Sequence, residues 1–347
     1  MSNLAARYLA LIQETNFGAT GGGSYLYGEI DEESFAPEFE LMDRVDVTRY
    51  GKRKVVRGTN RSGGEITAAL SGDTFCGKLL YNVYGNVSKS GAGSAYTHTL
   101  TESQTLTAYK SFTVCAGRDK VEHRFLGQVV DELSISANIN EYVMLSATLT
   151  GANEDASGTT GPASKGFALA APTASDLHPN DAYHFKNAKV NFSSSLSSTN
   201  FSELVKSVEL SFSLGRDIDN SYALASETCT RAPPPTMREI SGTIEFNRTI
   251  HGDDVADGEL IYNDLLAGLL VNGTASAPAL QFTFGSDTAN EECTVSLFTV
   301  QYEAPETSMS GRDTQTMSLK FYALFDEGEG AMSSAVWKTT LSADLNA

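Results

Sequence analysis

Between Asp131 and Gly151 the chain reads DELSISANINEYVMLSATLTG. Leu133, Ile135, Ala137 and Ile139 alternate with Ser134, Ser136 and Asn138, the two-residue period of a strand with one buried face. The polar pair Asn140 and Glu141 interrupts the pattern. Val143, Leu145, Ala147 and Leu149 then resume it opposite Ser146, Thr148 and Thr150, so the segment predicts a long hairpin. Its solvent face is small, polar and uncharged. The same writing returns in SVELSFSLG, where Val208, Leu210, Phe212 and Leu214 alternate with Glu209, Ser211 and Ser213, and again in SGTIEFNR and TMSLKFYAL. Helical periodicity is confined to GKLLYNVYG at 77–85, GELIYNDLLAG at 258–268 and a turn near the N-terminus. The chain is expected to be mainly β.

The two helical phrases echo one another, and their neighbours do so in the same order. GGEITAALSG, GKLLYNVYG, SFTVCAGRD and the long hairpin are followed later by SGTIEFNRT, GELIYNDLLAG, QFTFGSDT and TQTMSLKFYALFD. Gly77 to Gly258, Phe112 to Phe282 and Ser146 to Ser318 are separated by about 181, 170 and 172 residues, too long a period for a solenoid and apt for a duplicated domain. Between the halves, residues 151–181 are rich in Gly, Ala, Ser, Thr and Pro with few large apolar side chains, the composition of a connector. The expected organisation is a first β domain at 1–150, a linker at 151–181 and a second β domain at 182–347. A length of 347 residues suits two domains of ordinary size.

Charge narrows the range of partners. With 25 basic against 43 acidic residues the formal charge is −18, unsuited to gripping a phosphate backbone, which needs Lys and Arg to release counterions. No window has the apolar length to cross a bilayer, and MSNLAARYLALIQET does not read as a secretory signal, so an intracellular product is expected. Cys76, Cys115, Cys229 and Cys293 are far apart and form no C-x-x-C pair, which leaves buried free thiols as the plain reading.

Signatures of catalysis are missing: no G-x-S-x-G, Walker A loop, H-E-x-x-H or G-x-G-x-x-G is present. His98, His123, His178, His184 and His251 show no metal-ligand spacing. HGDDVADGE at 251–259 offers several carboxylates, but Val255 spoils the third position of a calcium loop and Asp264 stands where a bidentate Glu belongs. Asp257 reads better as the cap of the helix that follows. No pair of carboxylates stands out for glycoside hydrolysis. Catalytic, cofactor and metal residues are therefore assigned as none, and the chain is expected not to be an enzyme.

One charge pattern does point to a surface. Residues 29–40, EIDEESFAPEFE, hold six acids, while 49–61 hold Arg49, Lys52, Arg53, Lys54, Arg57 and Arg61. Two solvated loops, a self-complementary pair docking one copy on another, and a nucleic-acid contact are the open readings.

Taken in order, RYLALIQETNFGAT, GGEITAALSGDTFCGKLLYNVYG, HRFLGQVVDELSISANINEYVMLSATLTG, SGTIEFNR, GELIYNDLLAG and SLKFYALFD resemble the tail tube (major tail) proteins of long-tailed bacteriophages and related viruses. The resemblance covers nearly the whole chain through Gly, aromatic and alternating residues, not through invariant catalytic groups. It implies two tandem tail-tube-like β-sandwich domains, each with a short flanking helix and with long hairpins contributing to a β-barrel tube. It also implies a virion structural protein, assembled in the host cytoplasm, that forms stacked rings carrying genome DNA through the lumen without specific binding. Implied partners are the chain itself and the tape measure, terminator and distal tail proteins, with no cofactor and no membrane.

Two domains per chain would fill two of six ring positions, so a trimer with pseudo-sixfold symmetry is expected over a hexamer. Arg49, Lys52, Arg53, Lys54 and Arg57 are the expected inter-ring contacts. A carbohydrate-binding or adhesin-like β protein is the alternative, against which a single tryptophan, Trp337, argues mildly. A capsid decoration or tail terminator protein is a nearer rival, and a carboxylate hydrolase a more distant one.

Overall fold

The computed structural model describes residues 7–19, 25–44, 48, 54–105, 110–118, 121–155, 181–193, 205–248, 270–304, 306–308, 315–342 and 344–345. The phrase GELIYNDLLAG, the acidic run HGDDVADGE, Arg49, Lys52, Arg53 and most of the connector lie outside these residues.

The first half contains β1 (Tyr8–Gln13), β2 (Leu26–Gly28), β3 (Glu32–Glu33), β4 (Ala36–Arg44), β5 (Lys54–Ala69), α1 (Thr74–Tyr84), β6 (Gly85–Ala92), β7 (Ala95–Glu102), β8 (Phe112–Arg118), β9 (Val121–Asn138), β10 (Met144–Gly151) and β11 (Asn153–Glu154). The second contains β12 (Lys189–Phe192), β13 (Val205–Ser213), β14 (Glu239–Arg248), β15 (Leu270–Asn272), β16 (Leu280–Gly285), β17 (Glu292–Leu297), β18 (Thr299–Tyr302), β19 (Glu306–Ser308), β20 (Gln315–Leu324) and β21 (Ser333–Thr339).

The hairpin expected from the alternating run is β9 and β10, turning at Asn140, whose positive φ of 66° is one that Asn tolerates better than most side chains. The N-terminal turn is instead the strand β1. Its Leu9, Ala10, Leu11 and Ile12 are all buried, so both faces are covered and no alternation marks it. The phrase GKLLYNVYG falls in α1. Asp73 caps it by accepting from the Cys76 N–H at 2.7 Å, and Gly85 ends it at φ 86°. Every residue of α1 is buried. The Asn82 carboxamide oxygen accepts the Val130 N–H at 2.9 Å, fastening the helix to β9.

The strands form two open sheets. The long one runs β15-β18-β20-β14-β13-β9-β10-β5-β3, with β1, β2, β4, β8, β11 and β19 attached beside this path. The second runs β12-β16-β17-β21-β7-β6. Among the described residues neither closes on itself. Their apolar faces meet in a sandwich: Phe282 of β16 stacks on Phe321 of β20 at 5.6 Å, and Phe192 of β12 lies 6.0 Å from Phe246 of β14. One continuous core takes in both halves and α1. β13 pairs with β9 in the long sheet and β21 with β7 in the second.

Within the long sheet the two halves repeat a pairing register. β10 sets Leu145, Ala147 and Leu149 against Ala68, Ile66 and Gly64 of β5. β20 sets Met317, Leu319 and Phe321 against Phe246, Ile244 and Gly242 of β14. Placing Ser146 on Ser318, the offset read from sequence, thus places Thr67 on Glu245 and Gly64 on Gly242. With that placement, β19/β18, β20, β14 and β13 take the same order across the sheet as β9, β10, β5 and β3/β4, and β15 lies beyond them.

Candidate assembly surface

The alternation that buries one face of the long sheet sends its polar residues to the other. From β13 come Ser207, Glu209 and Ser211; from β9, Glu132, Ser134 and Ser136; from β10 and β5, Ser146, Thr148, Glu65 and Thr67; from β14 and β20, Thr243, Glu245, Ser318 and Lys320. Hydroxyls and carboxylates pair across this face: Ser146 donates to Glu65 at 2.6 Å, Ser207 to Glu245 at 3.1 Å and Ser211 to Glu132 at 3.1 Å. The face is wide, hydroxylated and net acidic, and it crosses from one half of the chain to the other without a break. A duplex sliding along it would meet few cations to hold its phosphates.

Of the acidic and basic segments singled out in the sequence, the described residues 36–40 and 54–61 lie on facing antiparallel strands. β4 and the first part of β5 pair from Ala36 opposite Gly63 to Arg44 opposite Lys54, with a register shift between Phe39 and Leu41. Glu38 and Arg61 form an exposed ion pair at 2.6 Å, and the Arg57 guanidinium lies 3.7 Å from the centre of the Phe39 ring. Beyond the register shift the arm is exposed on both faces. Leu41 is 68% and Met42 57% exposed, and Val55 and Val56 are also open. A strand pair with no buried face is marginal alone, and this uncovered apolar surface makes the arm a candidate contact. Of the expected inter-ring residues, Lys54 and Arg57 are exposed on the arm, and Arg49, Lys52 and Arg53 lie outside the described residues.

At the base of the arm is a cleft of about 750 Å³ bordered by Arg7, Tyr8, Gly28, Glu29, Asp31, Glu33 and Arg118 among others. Glu33 takes a two-pronged contact from Arg118, with Nε and Nη2 each 2.7 Å from a carboxylate oxygen. Burial alone would raise the Glu33 carboxyl, but the Arg118 hydrogen bond and charge and the Phe35 N–H together pull it below the ordinary carboxylate value. Arg118 also donates to the Phe35 carbonyl at 2.7 Å, and the Phe35 N–H donates to Glu33 at 3.1 Å. No signal in the sequence joins Glu33 to Arg118; only the fold brings β3 beside the end of β8.

The groups with chemistry elsewhere are held in structure. Cys76, Cys115, Cys229 and Cys293 are free and buried. Among the described residues no cluster of His, Cys, Asp and Glu could hold a metal ion, and no helix is long and apolar enough to cross a membrane. Glu102 and Arg238 pair at 2.8 Å in a buried contact that ties β7 to the start of β14, and Glu102 also accepts from Ser333 of β21.

A family model described as phage tail tube protein matches residues 5–323. No curated protein matches the chain.

Proposed function

The chain belongs to the phage tail tube protein family, and is therefore a structural protein of the viral tail; from that premise we propose that three copies form a ring with pseudo-sixfold symmetry and that rings stack into a tube conducting genome DNA. The observation that carries this reading is the long sheet. On the main path each half supplies four strand positions in the same order, with β15 beyond them at one end, the β10–β5 and β20–β14 ladders share a register, and the halves meet through the β13–β9 ladder. A duplicated tail-tube-like domain, with boundaries near 1–150 and 182–347, accounts for that order. Three copies of such a sheet would give a barrel of roughly 24 strands, beyond the roughly 16 at which barrels already enclose a water-filled channel.

In this reading the hydroxylated, acidic face lines the lumen and the core-facing side carries the second sheet and α1 as an outer layer. Glu65, Glu132, Glu209 and Glu245 then face the passing DNA, which is repelled and not bound. The β4–β5 arm projects to the neighbouring ring, with Arg49, Lys52, Arg53, Lys54 and Arg57 as its contacts. Tape measure, terminator and distal tail proteins are the further partners, assembly takes place in the host cytoplasm, and no catalysis is involved. Electron microscopy of the purified protein tests the reading: tubes built of three-copy rings support it, whereas six copies per ring would sink the trimer, and monodisperse monomers would sink the tube.

A further inference from the structure

A ring needs a second kind of junction besides the one inside the chain, and the repeated register assigns its strands. Among the described strands, β19 pairs only with β20, and β3 and β4 only with β5, so one edge of the long sheet is open in each half. The inner junction sets Ser211 opposite Ser134, Leu210 opposite Ile135 and Glu209 opposite Ser136. Carrying each position to its counterpart in the other half replaces Ser211, Leu210 and Glu209 by Ala36, Phe35 and Ser34. It replaces Ser134, Ile135 and Ser136 by Glu306, Thr307 and Ser308.

We propose that the β3–β4 edge of one copy pairs antiparallel with the β19 edge of a second copy, Ala36 opposite Glu306, Phe35 opposite Thr307 and Ser34 opposite Ser308, and that the Glu33–Arg118 pair occupies this edge until the second copy arrives. The proposal rests on the ring reading above and adds the surface through which rings close.

The hydrogen-bonding phase of the edge agrees. Leu214 donates its N–H across the inner junction to the Asp131 carbonyl at 2.8 Å, and Leu210, in the same phase of β13, presents its backbone groups to β9. Its counterpart Phe35 has neighbours turned inward: the Ser34 N–H donates to Glu65 of β5 at 3.1 Å. Phe35 therefore directs its N–H and carbonyl outward. Those are the two groups that Glu33 and Arg118 satisfy with side chains, at 3.1 and 2.7 Å. A charged pair in that place protects an otherwise open edge from indiscriminate strand pairing, and it must turn aside for a strand to enter. The docking is head-to-tail and heterologous, so it closes only if the rotation per copy completes a circle.

Ala36–Glu306 and Ser34–Ser308 are pairs whose backbone groups point away from each other, where Cα atoms approach to about 4.5 Å and a disulfide fits. The four native cysteines are buried and do not compete. The full chain carrying Ala36→Cys with Glu306→Cys, or Ser34→Cys with Ser308→Cys, is assembled and then oxidised with a mild disulfide oxidant. Both pairs are expected to link copies, in a ladder on a non-reducing gel that ends at three. Ser34→Cys with Glu306→Cys, two residues out of register, is expected not to link. Rings that form without in-register links, or that link equally out of register, overturn the pairing and leave the ring reading standing. If the unaltered chain forms no rings, both fall together. For the clamp, Arg118→Ala is expected to speed assembly, followed by light scattering, by roughly tenfold, the effect of removing one charge-assisted contact. Glu33→Gln should do so less, and a rate that is unchanged or slower in both variants overturns the clamp.

Discussion

Gly77 lies in α1 where a Cβ would come within 2.8 Å of the Trp337 ring and 3.0 Å of Leu345. Trp337 is fully buried, so the first half's helix keeps a glycine because the second half's last strand needs the room. Alanine there would gain about 1 kcal/mol of helix propensity against the clash, whereas valine gains far less and clashes more. We predict that Gly77→Val costs about 1–3 kcal/mol in a urea melt and that Gly77→Ala costs less; equal stability of all three would show that the Trp337 contact is not tight. Beside the same ring, 5.1 Å away, sits His98, buried and, among the described residues, with no hydrogen-bond partner for either ring nitrogen. Burial first, and the nearby Lys89 charge second, hold its pKa below the ordinary 6.5, so the folded chain resists the proton that the unfolded chain accepts. Stability is therefore expected to be intact above that value and to fall as pH drops below it. Thermal melts of His98→Phe should show a shallower acid-side decline, and parallel profiles would rule His98 out as the cause.

The elements differ in how openly the sequence declares them. β9 and β10 announce themselves by alternation because one face is buried and the other wet. β1 does not, since Leu9 through Ile12 are covered on both sides and the pattern collapses into a short apolar run. The pairing of β13 with β9 was not legible either: a strand's own period says which face is buried but not which neighbour it will meet. The clamp of Glu33 and Arg118 leaves no trace in the sequence either, the two being 85 residues apart on strands whose meeting only the fold decides. The β4–β5 arm was legible as charge but not as shape; acids and bases that read as two segments lie on facing antiparallel strands. We predict that reversing Lys52, Arg53 and Lys54 to Glu shortens tubes while leaving single rings intact. Tubes of normal length in negative stain would count against the arm as the stacking element. Replacing Leu41 and Met42 by Ser should act the same way through lost apolar contact, with each buried side chain of this size contributing roughly 1.5–3 kcal/mol.

At the scale of the whole molecule, charge and topology act together. The polar face of the long sheet carries Glu65, Glu132, Glu209 and Glu245 with Lys320 as its main counterweight. Changing all four glutamates to lysine is expected to give assemblies that retain double-stranded DNA at low salt and release it as salt rises, whereas the native chain retains none. Retention by neither would place this face away from the DNA path. The β13–β9 ladder has a mechanical consequence as well. The two halves of one chain are tethered, so their seam forms at an effective concentration no separate subunit reaches, and a shared core backs it. In the proposed ring a seam between chains would form by collision and be held by edge pairing. A ring built this way would have alternating strong and weak joints, and under tension or denaturant it would split along three lines and not six.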